Sequence, residues 1–148
     1  MYNNSMNPEL LNYIKCPRSG SRLSIVGEKV GSVVNGELIS EDRMHRYPIK
    51  NGVPIFFSDI NSIERFTASN FGKQWKLFYD IGGLGKGFEE KLTKDFFHPI
   101  NINNVKNKTV LEAGCGYGRN LLQIKKTGAK LAIGFDVSEA AFIAKKKG

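Results

Sequence analysis

The chain has 148 residues, of which 41% are hydrophobic and 24% charged, and this balance excludes an intrinsically disordered or collagen-like polypeptide. No apolar run reaches the roughly 18 residues that a membrane span needs, and the start has no secretory signal, so we expect a cytoplasmic protein without membrane partners. The net charge is +8, but residues 106–148 alone hold nine basic and three acidic residues. This local excess is more typical of solvated helix faces than of a nucleic-acid surface.

The first segment, residues 7–59, is predicted to be a small α+β module. Pro8 near a helix's first turn indicates a short helix that ends near Ile14. The Asn-Gly pairs at 35–36 and 51–52 predict two hairpin turns. The predicted strands are residues 23–26, 31–34, 37–40, 47–49 and 53–57.

Residues 60–105 are predicted to be a helical, aromatic-rich connector. Its first helix has one stripe of aromatic side chains, more typical of a core face than of a cofactor site: Phe71, Trp75, Phe78 and Tyr79. A second helix is expected at residues 88–97. The glycine-rich stretch between them, residues 82–87, lacks the Ser or Thr that follows Gly-Lys in a phosphate loop, so we interpret it as a flexible connector.

The third segment, residues 106–148, has the pattern of an opening βαβα unit. A strand at residues 109–111, a glycine turn at 114–118, a helix at 120–126, a strand at 130–135 and a helix at 139–147 are predicted. Such an order begins an α/β doubly wound, Rossmann-like sheet. Two strands are too few for such a sheet, so we expect the domain to be truncated here and the chain to be the front part of a longer enzyme.

The glycine turn is also the strongest functional signal. Gly114, Gly116 and Gly118 follow the first strand, and Asp136 ends the second strand, 18 residues beyond the last glycine. A turn of this kind lets backbone approach a ligand, and the carboxylate can accept hydrogen bonds from a ribose diol. The pattern predicts a nucleoside-containing cofactor.

Two side chains distinguish between cofactors. The dinucleotide fingerprint needs glycine where this chain has Arg119, and Glu112 would repel a pyrophosphate but suit a cationic sulfonium. Residues 110–118 resemble motif I of the class I S-adenosylmethionine-dependent methyltransferases. The resemblance implies that Glu112 lies near the methionine moiety, that the three glycines lie under the cofactor, that Asp136 binds the ribose and that Val137 touches the adenine.

The N-terminal segment resembles a second family. Cys16-Pro17, residues 36–39 and residues 47–54 are similar to the small zinc-ribbon domain of tRNA-methyltransferase activators, which also occurs fused ahead of methyltransferases. That family has two CxxC pairs, which would fall at positions 16, 19, 40 and 43; here they are Cys16, Ser19, Ser40 and Arg43. Tetrahedral zinc needs about four thiolate or imidazole ligands, so we expect no zinc and no metal site.

These resemblances imply an S-adenosylmethionine-dependent methyltransferase that acts on a small metabolite or sugar, with RNA the less favoured acceptor. No catalytic base can be named from the sequence, and Cys115 is interpreted as a small turn residue rather than a nucleophile. The alternative is a non-catalytic activator module that binds a methyltransferase partner protein. A nicotinamide-dependent oxidoreductase is disfavoured by Glu112 and Arg119. The stretch at residues 71–75 resembles one found ahead of motif I in fused methyltransferases, where it either closes the cofactor pocket or simply packs on the sheet.

Overall fold

The structure, a computed structural model, describes residues 5–26, 35–56, 62–80 and 86–147. The chain divides into two units, Met1–Ile60 and Asn61–Gly148. The predicted strand at 31–34 and most of the glycine-rich connector lie outside the described residues. Within the described ranges, no helix is long and apolar enough to cross a membrane.

The first unit contains an antiparallel sheet of four strands in chain order. They are β1 (Leu23–Val26), β2 (Gly36–Ser40), β3 (Arg46–Lys50) and β4 (Val53–Pro54), preceded by a short 3₁₀ helix, Pro8–Asn12. The predicted turn at residues 51–52 is confirmed, because Asn51 and Gly52 both have positive φ, as a type I′ hairpin turn requires. Gly36 is instead a strand residue opposite Ile49. β4 is shorter than predicted: Ile55 N still donates to Pro48 O at 2.8 Å, but Pro48 has no N–H with which to return the bond.

Alternation along the strands builds the core of this unit. Tyr47 and Ile49 of β3 point inward while the residues between them are exposed. Leu38 of β2 is completely buried beside them. The remaining core members come from β1 and from the chain before it: Met6, Cys16 and Leu23. The apolar face of the sheet therefore packs against the N-terminal segment of its own unit.

The second unit places helices before and around a parallel pair of strands. Its elements are α1 (Ser62–Asp80), α2 (Lys86–Phe97), a 3₁₀ helix (Ile102–Val105), β5 (Thr109–Ala113), α3 (Arg119–Lys126), β6 (Leu131–Phe135) and α4 (Ala140–Lys147). β5 and β6 are parallel, with Thr109 opposite Leu131, which confirms the predicted parallel pairing. The finer assignment to a doubly wound methyltransferase fold stays a prediction.

The aromatic stripe of α1 is not a single core face. Phe71 is half exposed and Trp75 half buried, while the side chains of Phe78 and Tyr79 lie outside the described set. The prediction of a buried stripe is therefore wrong at Phe71. The contact in this part of α1 is made instead by the neighbouring Gly72: a Cβ added there would lie 3.5 Å from Ser138 Cβ.

Candidate functional site

The predicted glycine turn follows β5 and is tied to the end of β6. Gly114, Gly116 and Gly118 all have positive φ, between 52° and 80°. The N–H groups of Gly114 and Cys115 both donate to the carbonyl of Phe135, at 2.8 and 3.1 Å. The turn thus lies at the carboxyl ends of both parallel strands, the edge at which open α/β sheets bind ligands.

The three glycines have different reasons to lack a side chain. A Cβ on Gly118 would lie 2.9 Å from Ala144 Cβ, and one on Gly116 would lie 3.1 Å from the Trp75 ring. Around Gly114, by contrast, no atom of the other described residues lies within 4 Å of that position, its two chain neighbours aside. Gly116 and Gly118 therefore make room for neighbours in their own unit, and Gly114 is the glycine with open space for a ligand.

Asp136 joins the two loops that follow the strands. Its Oδ2 accepts a hydrogen bond from Gly116 N at 2.8 Å, and its Oδ1 accepts from Ser138 N and Ser138 Oγ at 2.8 and 2.6 Å. Since a carboxylate oxygen has two lone pairs, Oδ1 is filled and Oδ2 can accept one more bond. Oδ2 could therefore accept a hydrogen bond from one ribose hydroxyl. For the second ribose hydroxyl to bond to Oδ1, the bonds from Ser138 to that oxygen would have to rearrange.

Glu112, near the end of β5, is bonded to the first turn of α3. Its Oε1 accepts from Asn120 Nδ2 at 2.9 Å, while its Oε2 is buried and has no hydrogen-bond partner among the described residues. Burial raises the pKa of the Glu112 carboxyl, although Asn120, the Arg119 charge and the backbone N–H of Leu121 oppose the shift. A buried carboxylate oxygen without a donor fits an ammonium group of a ligand. Asn120 is a site residue that the sequence pattern does not single out.

Val137 and Cys115 lie in the two loops that follow the strands. Val137, expected to touch an adenine, follows β6 with a side chain that is 56% exposed. Cys115 is buried, and burial raises the pKa of its thiol to about 12, helped by the charges of Asp136 and Glu112. A thiol in that environment stays protonated at neutral pH, which agrees with a packing role.

In the first unit, the positions of the zinc ligands in the resembled family hold a hydrogen-bonded cluster. Cys16 Sγ accepts from Ser19 N at 3.4 Å and lies 3.2 Å from Tyr47 Oη. Ser40 Oγ donates to Asp42 Oδ1 at 2.5 Å and accepts from His45 N at 2.9 Å. We call Cys16, Ser19, Ser40 and Asp42 the knuckle cluster.

Asp42, rather than Arg43, completes the knuckle cluster. Hydrogen bonds from Ser40 and Met44 N lower the pKa of the Asp42 carboxyl, and a further bond links it to the Ser19 side chain. Arg43 instead has a φ of 59° and an exposed side chain. The spacing of the resembled family points to position 43, so sequence alone does not identify Asp42.

Burial and these bonds set the pKa values of Cys16 and of Tyr47 beside it. Burial raises the pKa of Cys16, but hydrogen bonds from Ser19 and Tyr47 outweigh it and leave the pKa at about 7. Burial raises the pKa of Tyr47 to about 12. Among the described residues, no group of three or more His, Cys, Asp or Glu side chains is placed to hold a metal ion. The expected absence of zinc stays a prediction, and metal analysis of the purified chain would test it.

Ser40→Ala is expected to destabilise the first unit by about 1 to 3 kcal/mol, because it removes the buried Ser40 hydroxyl and leaves the partly buried His45 N–H without that acceptor. Ser24→Ala is the matched control, since Ser24 is exposed and makes only a 3.5 Å bond to Ile39 O. Urea unfolding followed by circular dichroism measures both. Equal stability of the two variants would contradict a structural role for the cluster.

Comparison with known proteins bears on the first unit. Residues 7–52 match the family of Trm112p-like proteins. A UPF0434 protein from Allorhizobium ampelinum is 36% identical over 62 residues, which cover 41% of this chain and 90% of that protein. No solved structure matches the chain. The family match ends before residues 106–148, so the predicted cofactor site keeps its status as a prediction. Through its N-terminal segment, the chain belongs to the Trm112p-like family.

Proposed function

We propose that residues 7–52 are a non-catalytic interaction module that binds a methyltransferase and stabilises it. The match to Trm112p-like proteins carries this proposal, because the activator domains that this segment resembles work by binding a methyltransferase partner. The A. ampelinum relative adds support. Since the aligned segment makes up 90% of it, a module of this size also occurs as a small protein of its own.

The chemistry of the module also favours binding over catalysis. Its thiol is bonded to Ser19 and Tyr47, and its buried hydroxyl is bonded to the Asp42 carboxylate. Large apolar side chains remain at its surface, notably Met44, 78% exposed, and Tyr13, 45% exposed. Protein interfaces are enriched in methionine and aromatic residues, so these two side chains are the first to test.

The test mixes the purified chain with each class I methyltransferase encoded in the same genome, and follows complex formation by calorimetry and by the melting temperature of the methyltransferase. We expect one of them to bind and to melt at a higher temperature, because a ligand of the native state stabilises it. Met44→Glu should weaken that complex about ten-fold or more. Ser24→Glu, the same charge change at another exposed position, should not.

Failure of every methyltransferase to bind would contradict the proposal. A complex that both variants weaken equally would show that Met44 has no special part in it. Because Met44 is exposed, the glutamate variant is expected to fold, and its circular dichroism spectrum checks this.

A second function is proposed for residues 106–148: binding of S-adenosylmethionine for methyl transfer. The specific observation in its favour is Glu112 Oε2, a buried acceptor without a donor. The amino group of the cofactor's methionine moiety would satisfy it, and the open space at Gly114 would admit the ligand beside it. When bound, the cofactor would supply a methyl group from its sulfonium; the methyl–sulfur bond would break and the neutral thioether, a good leaving group, would depart.

The side chains of this site would bind and orient rather than transfer protons. Glu112 and the free lone pair of Asp136 Oδ2 are the acceptors that could hold the two ends of the cofactor. Alignment of the methyl group with an acceptor is the main contribution that such a reaction needs from the protein. A small metabolite or sugar remains our proposed acceptor. A nicotinamide dinucleotide is disfavoured, because its pyrophosphate would meet the Glu112 charge.

Glu112→Gln is expected to weaken binding of S-adenosylhomocysteine about ten-fold or more, because it removes a charged acceptor. It should also stabilise the fold at pH 7. The raised pKa means that the folded chain binds the proton more tightly than the unfolded chain, so the charge costs stability above the ordinary pKa of 4.5. Glutamine removes this cost and keeps an oxygen for Asn120.

Calorimetry measures the affinity, and urea unfolding at pH 4 and pH 7 measures the stability. Glu139→Gln, an exposed change of the same charge, should alter neither. The methyltransferase assignment would be withdrawn if the chain bound a nicotinamide dinucleotide but not S-adenosylhomocysteine. Weaker binding together with a less stable fold would contradict the role given to Glu112.

A further inference from the structure

Helix α1 crosses both loops that form the candidate cofactor site. Trp75 lies against Gly116, in the loop after β5, and Gly72 packs against Ser138, in the loop after β6. These loops stand at the carboxyl ends of the parallel strands, where ligands bind in open α/β sheets. A helix from the preceding segment therefore lies at the mouth of the site.

The contact of Trp75 is with the backbone of the turn. A Cβ on Gly116 would lie 3.1, 3.2 and 3.3 Å from the indole atoms Cε2, Cδ2 and Nε1. The indole also packs on Tyr117, with ring centroids 5.6 Å apart. Gly116 N donates to Asp136. The middle residue of the turn is thus held by a ring and by a carboxylate.

This restraint matters because the turn is otherwise permissive. Three glycines in five residues have positive φ, a conformation that glycine adopts about as readily as others. Such a segment has many alternative conformations, and its own sequence does not select one. Contacts from outside the turn must do so.

We propose that Trp75 is a positioning residue of the cofactor site, whose indole holds residues 114–118 in the conformation that leaves Gly114 open to the ligand. The proposal rests on the binding of S-adenosylmethionine by residues 106–148. It assigns to α1 a part in cofactor affinity, in addition to its packing on α4.

Fluorescence gives a direct readout, because Trp75 is the only tryptophan of the chain. Titration of the full chain with S-adenosylhomocysteine should shift the emission maximum and reduce quenching by acrylamide, since a ligand that orders the turn would hold the indole more closely against Gly116. If Trp75 only packed α1 on the rest of the unit, its fluorescence would not respond to the ligand. Calorimetry on the same sample measures binding independently of the fluorescence.

Substitutions of Trp75 distinguish a positioning role of the indole from a packing role. Trp75→Ala should raise the dissociation constant about ten-fold or more, because a loosened turn misplaces the ligand contacts. Trp75→Phe keeps a ring against Gly116 and should stay within about three-fold of the wild type. Phe71→Ala, a half-exposed aromatic one turn earlier on the same helix, is the control and should leave the affinity unchanged.

The outcomes are distinguishable. Absence of any calorimetric signal would remove the proposed cofactor function, and this inference with it. Binding without a fluorescence response, or an unchanged affinity in Trp75→Ala, would overturn the inference alone. Tighter binding by Trp75→Ala would also overturn it, because the indole would then block the turn. If Trp75→Ala does not fold, the wild-type titration and Trp75→Phe still decide.

Discussion

Gly118→Ala is expected to destabilise the second unit by about 3 kcal/mol, the combined cost of a left-handed conformation and of overpacking. The new Cβ would lie 2.9 Å from Ala144 Cβ and 3.1 Å from Ala144 Cα. Because one of these atoms belongs to the backbone of α4, a side-chain rotation cannot relieve the contact. The helix itself must shift, and the close packing of α4 on the turn is lost.

Gly114→Ala provides the contrast, since it has the same left-handed backbone but open space around it. Its stability cost is expected to be about 1 kcal/mol, from the conformation alone. The added methyl group would occupy the space assigned to the ligand, so the affinity for S-adenosylhomocysteine should fall more than in Gly118→Ala, measured on the folded fraction. Urea unfolding and calorimetry on both variants test this. Equal stability losses would show that Gly118 is not the packing glycine.

Local chemistry explains what could be predicted from the sequence. The turn at Asn51 and Gly52 was predictable because two successive positive φ angles favour these residue types. The parallel pairing of β5 with β6 was predictable because two short apolar strands flank a glycine turn and a helix. In both cases the signal lies within a few neighbouring residues or one βαβ unit.

Contacts between distant segments explain what could not be predicted. Phe71 and Trp75 share the spacing of one helix face, but only the neighbours of α1 determine that Trp75 meets Gly116 while Phe71 is half exposed. The bond from Asn120 to Glu112 joins a strand to the first turn of the next helix. Neither residue type nor spacing identifies these partners before the chain is folded.

The contacts of the knuckle cluster are likewise not identified by sequence spacing. They lead to a prediction about zinc binding by an altered cluster. Ser19→Cys, Ser40→Cys and Asp42→Cys, combined with the native Cys16, are expected to create a four-thiolate zinc site, because these side chains already contact one another. Zinc binding contributes on the order of 10 kcal/mol to the folding of zinc-finger peptides at pH 7. The first unit of the triple variant should therefore melt at least about 10 °C higher with zinc than with a chelator.

The matched control carries Arg43→Cys in place of Asp42→Cys. Its four cysteines follow the spacing of the resembled family instead of the contacts in this chain. Without metal, both triple variants should be less stable than the wild type, because the bond from Ser40 to Asp42 is lost in each. With zinc, the Asp42 set should recover fully and the Arg43 set only in part, since Arg43 has an exposed side chain outside the cluster. Metal analysis and thermal unfolding with and without chelator measure the difference. If the Arg43 set binds zinc more tightly, the loop must change its conformation around the metal, and the fourth position of the cluster belongs to residue 43 after all.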